Sequence, residues 1–390
     1  MPLTIASLFS GIGGIERGLE QAGHHAVFQC EILDTAREVL RSRFPDSALK
    51  ADLTELRSLP NADIITAGFP CQNLSQAGKM EGISGRKSSL VNNLFDLLEK
   101  KSKKQFPQWL MLENVPFMLQ LQRGAAMRHV TKRLDQLNMK WAYRVVDARA
   151  FGLPQRRRRV VLLASREHNP KAVLFGDDAR EQIDFDVESD AYGFYWTEGN
   201  TGLGWTVDGV PTLKGGSGLG IPCPPAIWLV NSNAIVTPDI RDAERLQGFP
   251  ANWTKPAMAA TKRIGNRWKL IGNAVPVPIS RWVGRRLENP GSYDTHANVE
   301  LKDGAKWPCA AWGESGSVFE ADVTEWPKCF SYRSLSDFLK FTPKPLSLKA
   351  TSGFFGRLQS SRLRRPVEFD EALAHHIKLL RKNARELAAT

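Results

Sequence analysis

The sequence predicts a doubly wound α/β sheet followed by a smaller, loop-rich domain and a C-terminal extension. Three observations lead there. Through the first 165 residues, short β-forming runs alternate with amphipathic helical ones, as expected for strands joined by crossover helices. Beyond Arg166 the alternation stops: residues 199–220 hold eight glycines, and nine of the eleven tryptophans lie past residue 190. Regular patterning returns in "WKLIGNAVPVPISRWVGRRLE", with a helix expected from about Val277. A chain of 390 residues has room for roughly two or three domains. The expected division is 1–166 for the sheet, completed by 264–288, then 167–263 for the second domain and 289–390 for the extension.

The elements follow in order. "LTIASLF", "HAVFQCEIL", "ADIITAGF", "QWLMLENV", "WAYRVVDARAF" and "RRVVLLASR" read as strands, being short, rich in β-formers and bounded by turn residues. Between them "GIERGLEQAG", "DTAREVLRSRF", "SLVNNLFDLLEKKSKK" and "GAAMRHVTKRLDQLN" read as helices. Strands so connected are expected to run parallel and to bind ligands beyond their carboxyl ends. The extension holds a Pro/Lys/Ser-rich stretch, "FTPKPLSLKATSG", and a last amphipathic helix, "DEALAHHIKLLRKNARELAA".

Composition narrows the class. The five cysteines, at 30, 71, 223, 309 and 329, include no Cys-x-x-Cys pair, so neither a zinc site nor a disulfide framework is expected. No basic leader and no run of 18 apolar residues occurs, and a cytoplasmic protein without a membrane partner is expected. Lys and Arg total 53 against 41 Asp and Glu, a net charge of +12. The segment from Arg245 to Leu287 carries nine basic residues and no acid, and Phe338 to Val367 carries seven more. Such clusters supply sequence-independent attraction to phosphates, although solubility alone also favours a basic surface.

Chemistry concentrates at the strand ends. "LFSGIGGIERGLE" follows the first strand with glycines at 11, 13 and 14, which allow close approach of backbone to a ligand. The sixth-position glycine of the dinucleotide fingerprint is missing, so no pyrophosphate cradle is expected. Glu31 and Asp52 end the next two strands, where acids can accept hydrogen bonds from ribose hydroxyls. The pattern describes a nucleoside pocket without a phosphate grip. In "AGFPCQNLSQAG", Cys71 stands at the mouth of a strand, where a thiol is presented rather than packed.

Six blocks in order carry a resemblance: "LFSGIGGIERG", "GFPCQNLS", "ENV" at 113–115, "QRRRRV" at 155–160, "RLQGFP" at 245–250 and "GNAVPVPIS" at 272–280. Over about residues 4–287 the chain resembles the bacterial and phage cytosine-5 DNA methyltransferases. The resemblance implies a Rossmann-like methyltransferase sheet, S-adenosyl-L-methionine as methyl donor and double-stranded DNA as substrate. It also implies a target-recognition domain over 167–263 and the modification half of a restriction-modification system. A monomer without metal is expected.

The resemblance also implies residue roles. Cys71 is the nucleophile that adds to carbon 6 of cytosine, making carbon 5 able to attack a methyl sulfonium. Glu113 shares a proton with ring nitrogen 3 and the exocyclic amine. Arg157 holds the ring oxygen, and Arg159 completes the Gln-x-Arg-x-Arg catalytic pattern. Phe9, Gly11, Ile12 and Gly13 wrap the methionine end of the donor, Glu31 and Ile32 the ribose and adenine face, and Asp52 with Leu53 the adenine edge. Gly68, Pro70, Leu90, Asn273 and Val275 complete the pocket. Gln76, Lys79, Lys87, Gln155, Thr212, Leu213 and Lys214 face DNA. Lys87 stands where the family commonly has arginine, which keeps charge but loses bidentate geometry. The target base must leave the stack to be attacked, and "QAGKMEGISGRKSSL" has the composition of a closing loop.

Two other readings remain open on residues alone. One is a catalytically silent DNA-binding or cofactor-sensing module, against which Cys71, Glu113 and Arg157 stand intact. The other is an RNA cytosine methyltransferase, whose Cys-Phe-Thr signature is absent.

Overall fold

The computed structural model describes residues 1–69, 88–180, 188–216, 222–296 and 298–389. The first half forms β1 (Thr4–Leu8), α1 (Gly14–Glu20), β2 (His25–Cys30), α2 (Asp34–Arg43), β3 (Ala48–Lys50), β4 (Ile64–Ala67), α3 (Ser88–Glu99), β5 (Trp109–Asn114), α4 (Ala125–Gln136) and β6 (Lys140–Asp147). After β7 (Gln155–Arg156) and β8 (Arg158–Ser165) come α5 (Pro170–Leu174), β9 (Ala191–Phe194), β10 (Thr206–Val207), β11 (Val210–Pro211), β12 (Ala226–Leu229) and β13 (Ala234–Thr237). Then follow α6 (Ile240–Leu246), α7 (Gly265–Asn273), α8 (Val277–Glu288), β14 (Val299–Glu300), β15 (Ala310–Glu314) and β16 (Ser317–Glu320). The chain ends with α9 (Leu335–Phe338), β17 (Lys344–Pro345), α10 (Leu348–Gln359) and α11 (Val367–Ala389).

Ten strands form the main sheet in the order β14-β16-β15-β6-β8-β5-β4-β1-β2-β3. Strands β3, β2, β1, β4 and β5 are parallel. The expectation of parallel strands throughout fails at β8, which runs antiparallel to both β5 and β6. The reason is connection length. A parallel return from β6 needs a crossover of about a dozen residues or more, and only a short 3-10 turn at Ala148–Phe151 and β7 intervene. The reversal puts the start of β8 at the edge where β5 ends, with Glu113 opposite Val161.

Apolar layers cover both faces. Leu8, Ala67, Leu94, Phe95, Leu112 and Leu134 pack on the α3 and α4 side. Ile5, Ile15, Leu19, Ile64, Ile279 and Val283 pack on the other, where α1 meets α8. That contact requires glycine: a Cβ on Gly14 would lie 2.3 Å from the Val275 carbonyl oxygen. The chain therefore returns from its far end to complete the first βα unit, as the placement of Asn273 and Val275 required.

A second sheet, order β10-β9-β12-β13-β17, is antiparallel. One face buries Phe194, Ala226, Trp228 and Ile235 against Phe354 and Leu358 of α10 and Phe369, Ala372 and Leu373 of α11. Residues 289–390 are thus shared out rather than independent: β14 to β16 extend the main sheet, while β17, α10 and α11 complete the second. The boundary expected at 263 also moves. Phe249, Trp253 and Ala257 pack with Ile12, Val39, Leu40 and Phe44, so the return to the first unit begins earlier, at about Phe249.

Candidate active site

The carboxyl ends of the parallel strands converge on one edge of the sheet. After β1 the chain turns sharply through Phe9 at φ 57°, Gly11 at 56° and Gly13 at 82°. These values lie in the left-handed region that side chains disfavour, and the turn is held by Gly13 N–H donating to the Ser10 carbonyl at 2.9 Å. Glu31, just past β2, spans this turn and the next: its Oε2 accepts from Gly11 N at 2.8 Å and its Oε1 from Leu33 N at 2.9 Å. A carboxylate has about four acceptor sites, so two remain for a ligand hydroxyl. Arg37 of α2 braces the same turn by donating to the carbonyls of Glu31 at 2.9 Å and Ile32 at 2.6 Å. Beside it, the Ile32 side chain is 66% exposed. Among so many buried aliphatics, that is an apolar face available to an aromatic ring.

Gly68, after β4, is the junction. A Cβ there would stand 3.4 Å from Glu113 Oε2 and 4.0 Å from both the Phe9 carbonyl oxygen and the Val275 side chain. The glycine turn, the segment after α7 and the carboxylate of β5 therefore meet within one residue's width. Asn114 ties the ends of β5 and β4 by donating from Nδ2 to the Phe69 carbonyl at 3.2 Å. Pro70, Cys71, Gln76, Lys79 and Lys87 lie outside the described residues.

Glu113 is buried, and Arg159 from the antiparallel β8 places its Nε 2.8 Å from Glu113 Oε1. Burial pushes the Glu113 carboxyl above its ordinary range, while Arg159 and then Arg157 pull it down. Burial outweighs them, so this acid keeps its proton more readily than an exposed one. Burial likewise weighs against charge on Arg159, which Glu113 opposes.

The structure corrects the arginine assignment. Arg157 does not face the site: its guanidinium is fully buried and donates to the carbonyls of Leu213 at 3.1 Å, Gly272 at 2.9 Å and Ala274 at 2.7 Å. The arginine beside the acid is Arg159. Gln155 is corrected too. Instead of facing DNA it is fully buried, donating to the Leu246 carbonyl at 2.8 Å and accepting from Leu213 N at 3.0 Å.

Three further side chains are packing groups where ligand contact was expected. Ile12 is 1% exposed among Ala36 and Leu40, and its carbonyl accepts from Trp253 Nε1 at 2.9 Å. Leu53 and Leu213 are buried in apolar clusters. Asp52 caps a 3-10 turn through Thr54 N at 2.8 Å, and Leu90 lies half-buried in the first turn of α3. Asn273 is exposed, with its Oδ1 2.9 Å from where a Gly215 Cβ would be.

The Thr212–Lys214 loop is pinned to the same strand. Thr212 Oγ1 donates to the Arg156 carbonyl at 2.8 Å, and Tyr195 Oη donates to the Thr212 carbonyl at 2.7 Å. The Lys214 ammonium pairs with Glu198 and lies 3.7 Å from the Tyr195 ring centroid. Sequence reading missed Arg37, Asn114 and Tyr195. Only Asn114, next to Glu113 at a strand end, carried a signal that could have found it.

Residues 3–196 match the C-5 cytosine-specific DNA methylases. Over 363 residues the chain is 47% identical to type II methyltransferase M2.BsuMI of Bacillus subtilis (strain 168), covering 91% of this chain and 93% of that protein. The chain belongs to the C-5 cytosine-specific DNA methylase family. This methylase is also 25% identical over 319 residues to M.DsaV of Dactylococcopsis salina, covering 73% of this chain and 86% of that one. Its fold is that of the S. pombe Dnmt2 methyltransferase, with TM-score 0.55, 17% identity, and 73% and 98% of the two chains covered. Entamoeba histolytica EhMeth gives TM-score 0.53 at 13% identity, covering 74% and 99%. The methylase is a DNA cytosine-5 methyltransferase, with DNA and a methyl donor as its reactants. Among the described residues no helix is long and apolar enough to cross a membrane, and no group of three or more His, Cys, Asp or Glu could hold a metal ion.

Proposed function

We propose that this methylase transfers a methyl group from S-adenosyl-L-methionine to carbon 5 of a cytosine flipped out of duplex DNA, through a transient Cys71 adduct. Its setting is the modification half of a type II system, as a cytoplasmic monomer. The pairing of Arg159 with a buried Glu113, whose carboxyl burial raises above its ordinary range, beside Gly68 carries this reading.

The donor pocket is the glycine turn with Glu31, Ile32 and Val275. The donor set fits a nucleoside carrying an amino acid: Glu31 has acceptor capacity left for ribose, Ile32 offers an apolar face, and the turn offers backbone. Bound there, the donor supplies an electrophilic methyl carbon. Beyond the pocket, this chain's own side chains act on the base. The Cys71 thiolate adds to carbon 6, and the electron pair displaced from the 5,6 double bond makes carbon 5 nucleophilic. Negative charge grows on nitrogen 3, where protonated Glu113 donates. Arg159 donates to the ring oxygen and stabilises the charge drawn onto it. Once carbon 5 is methylated it loses its proton to water, the double bond re-forms, the thiolate leaves, and nitrogen 3 returns its proton to Glu113. Lys214 and the Thr212–Lys214 backbone face the DNA, with Gln76, Lys79 and Lys87.

The test begins with bisulfite sequencing of a plasmid exposed to the protein, which reads activity and site together. A duplex with 5-fluorocytosine at that site should then be trapped covalently when donor is supplied, because fluorine cannot leave as the proton does. Cys71→Ser should bind the donor and trap nothing. Absence of any trapped species from the wild-type chain would overturn the mechanism.

A further inference from the structure

We infer that Arg157 is a positioning residue that couples occupancy of the donor pocket to the order of the DNA-facing loop. The inference rests on the reading above of the glycine turn as donor site and of Thr212–Lys214 as DNA-facing. One buried guanidinium spans three carbonyls from two separate segments, Leu213 on one side and Gly272 and Ala274 on the other. It is the shared peg of both.

The two segments also touch directly. A Cβ on Gly272 would lie 2.3 Å from the Lys214 carbonyl carbon and 2.4 Å from Gly215 N. One residue beyond Ala274, the Val275 carbonyl abuts Gly14, where a Cβ would be 2.3 Å away. The chain of contact therefore runs from the glycine turn through Val275 and Ala274 to Arg157, and from Arg157 to Leu213. Close-packed backbone has little room to absorb displacement, so ordering one end restricts the other. Gln155 and Tyr195 fix the Thr212–Lys214 loop from its other sides. Among the described residues neither hydrogen-bonds Gly272 or Ala274, and Gln155 reaches that segment only through Gln247, which donates to the Ile271 carbonyl, so Arg157 makes the direct link.

Coupling of this kind is reciprocal: if bound donor tightens DNA binding, DNA tightens donor binding by the same factor, commonly about 5–150-fold. Lysine in place of Arg157 keeps a cation but has a single head that cannot fork across the three carbonyls.

The test titrates S-adenosylhomocysteine, a stable donor analogue, into the wild-type chain and Arg157→Lys, with and without a duplex carrying the methylated site. The factor between the two conditions should collapse toward one in the variant, while Tyr195→Phe lowers DNA affinity and keeps the factor. An undiminished factor in a folded Arg157→Lys would overturn the inference. A second measurement needs no variant. In the wild-type chain, the analogue alone should slow amide hydrogen exchange at 9–13 and also at 212–216. Slowing at 9–13 only would overturn the coupling and leave the donor pocket standing. Slowing at neither would overturn both.

Discussion

Arg159 reaches Glu113 across two antiparallel strands, Nε to Oε1 at 2.8 Å, in a pocket where both side chains are almost shielded from solvent. A carboxyl group in that setting binds a proton more tightly than an exposed one, because burial outweighs the neighbouring charge. It can donate to a base and be left as a carboxylate that Arg159 stabilises. Glu113→Gln keeps the shape and removes the transferable proton. The variant is expected to lose about 10²–10⁴ in the methyl-transfer rate, the usual share of a general acid, with donor affinity preserved. Single-turnover transfer of labelled methyl, beside calorimetry with S-adenosylhomocysteine, checks both.

Gly14→Ala tests the return of the chain to its first βα unit. The new methyl group would meet the Val275 carbonyl oxygen at 2.3 Å, well inside contact distance, and backbone on both sides limits relief. A destabilisation of about 1–3 kcal/mol is expected, as for other overpacked cores. Denaturant unfolding should show a lowered midpoint, and donor binding should weaken with it, since Val275 borders the proposed donor pocket. An unchanged midpoint would mean that α1 and α8 separate easily.

Glu16 gives a pH dependence with a definite sign. This α1 carboxyl is fully buried, and burial raises it from 4.5 to about 6, opposed by Ser7, Ser10 and Gln29. The folded state thus binds the proton more tightly than the unfolded one. Stability from this group is fully present below about 4.5 and is lost as pH rises through about 6. Glu16→Gln removes that loss. At neutral pH the variant is expected to be more stable by about 2 kcal/mol, since each tenfold gain in proton affinity on folding is worth about 1.4 kcal/mol. Unfolding curves at about pH 5 and about pH 7.5 check it: the gain should be clear at the higher pH and small at the lower.

Phe369 of α11 is wholly buried against Phe194 and Trp205, with ring centroids 4.9 Å away in each case. Phe369→Ala should cost about 3–5 kcal/mol, and the loss falls on the second sheet rather than the first. DNA affinity should therefore fall more than affinity for S-adenosylhomocysteine. Equal losses in both would show that the two sheets do not respond separately.

How far the sequence could be read depended on what each pattern encodes. Strand and helix runs through Ser165 were legible because their periods are local, and all six strands appear where the runs lie. Strand direction is not local. It follows from the connection, and the gap between "WAYRVVDARAF" and "RRVVLLASR" is too short for a crossover, a clue that the regular alternation before it concealed. The arginines show a different limit. In one continuous strand residues 155, 157 and 159 would share a parity and point to one side, but β7 ends at Arg156, β8 begins at Arg158, and Arg157 lies in the break between them. Which of them reaches Glu113 depends on their offset from the end of β5, and no motif carries that. For α11, amphipathic spacing foretold a buried face but could not name the second sheet as its cover, since an apolar stripe has no address.

That cover has a practical consequence. The sheet bearing the Thr212–Lys214 side of the molecule owes part of its hydrophobic filling to Phe354, Leu358, Phe369 and Leu373, more than a hundred residues downstream. Exchanging the middle of the gene alone would transplant half a module. The tail helices must travel with it, or be redesigned to suit the incoming sheet.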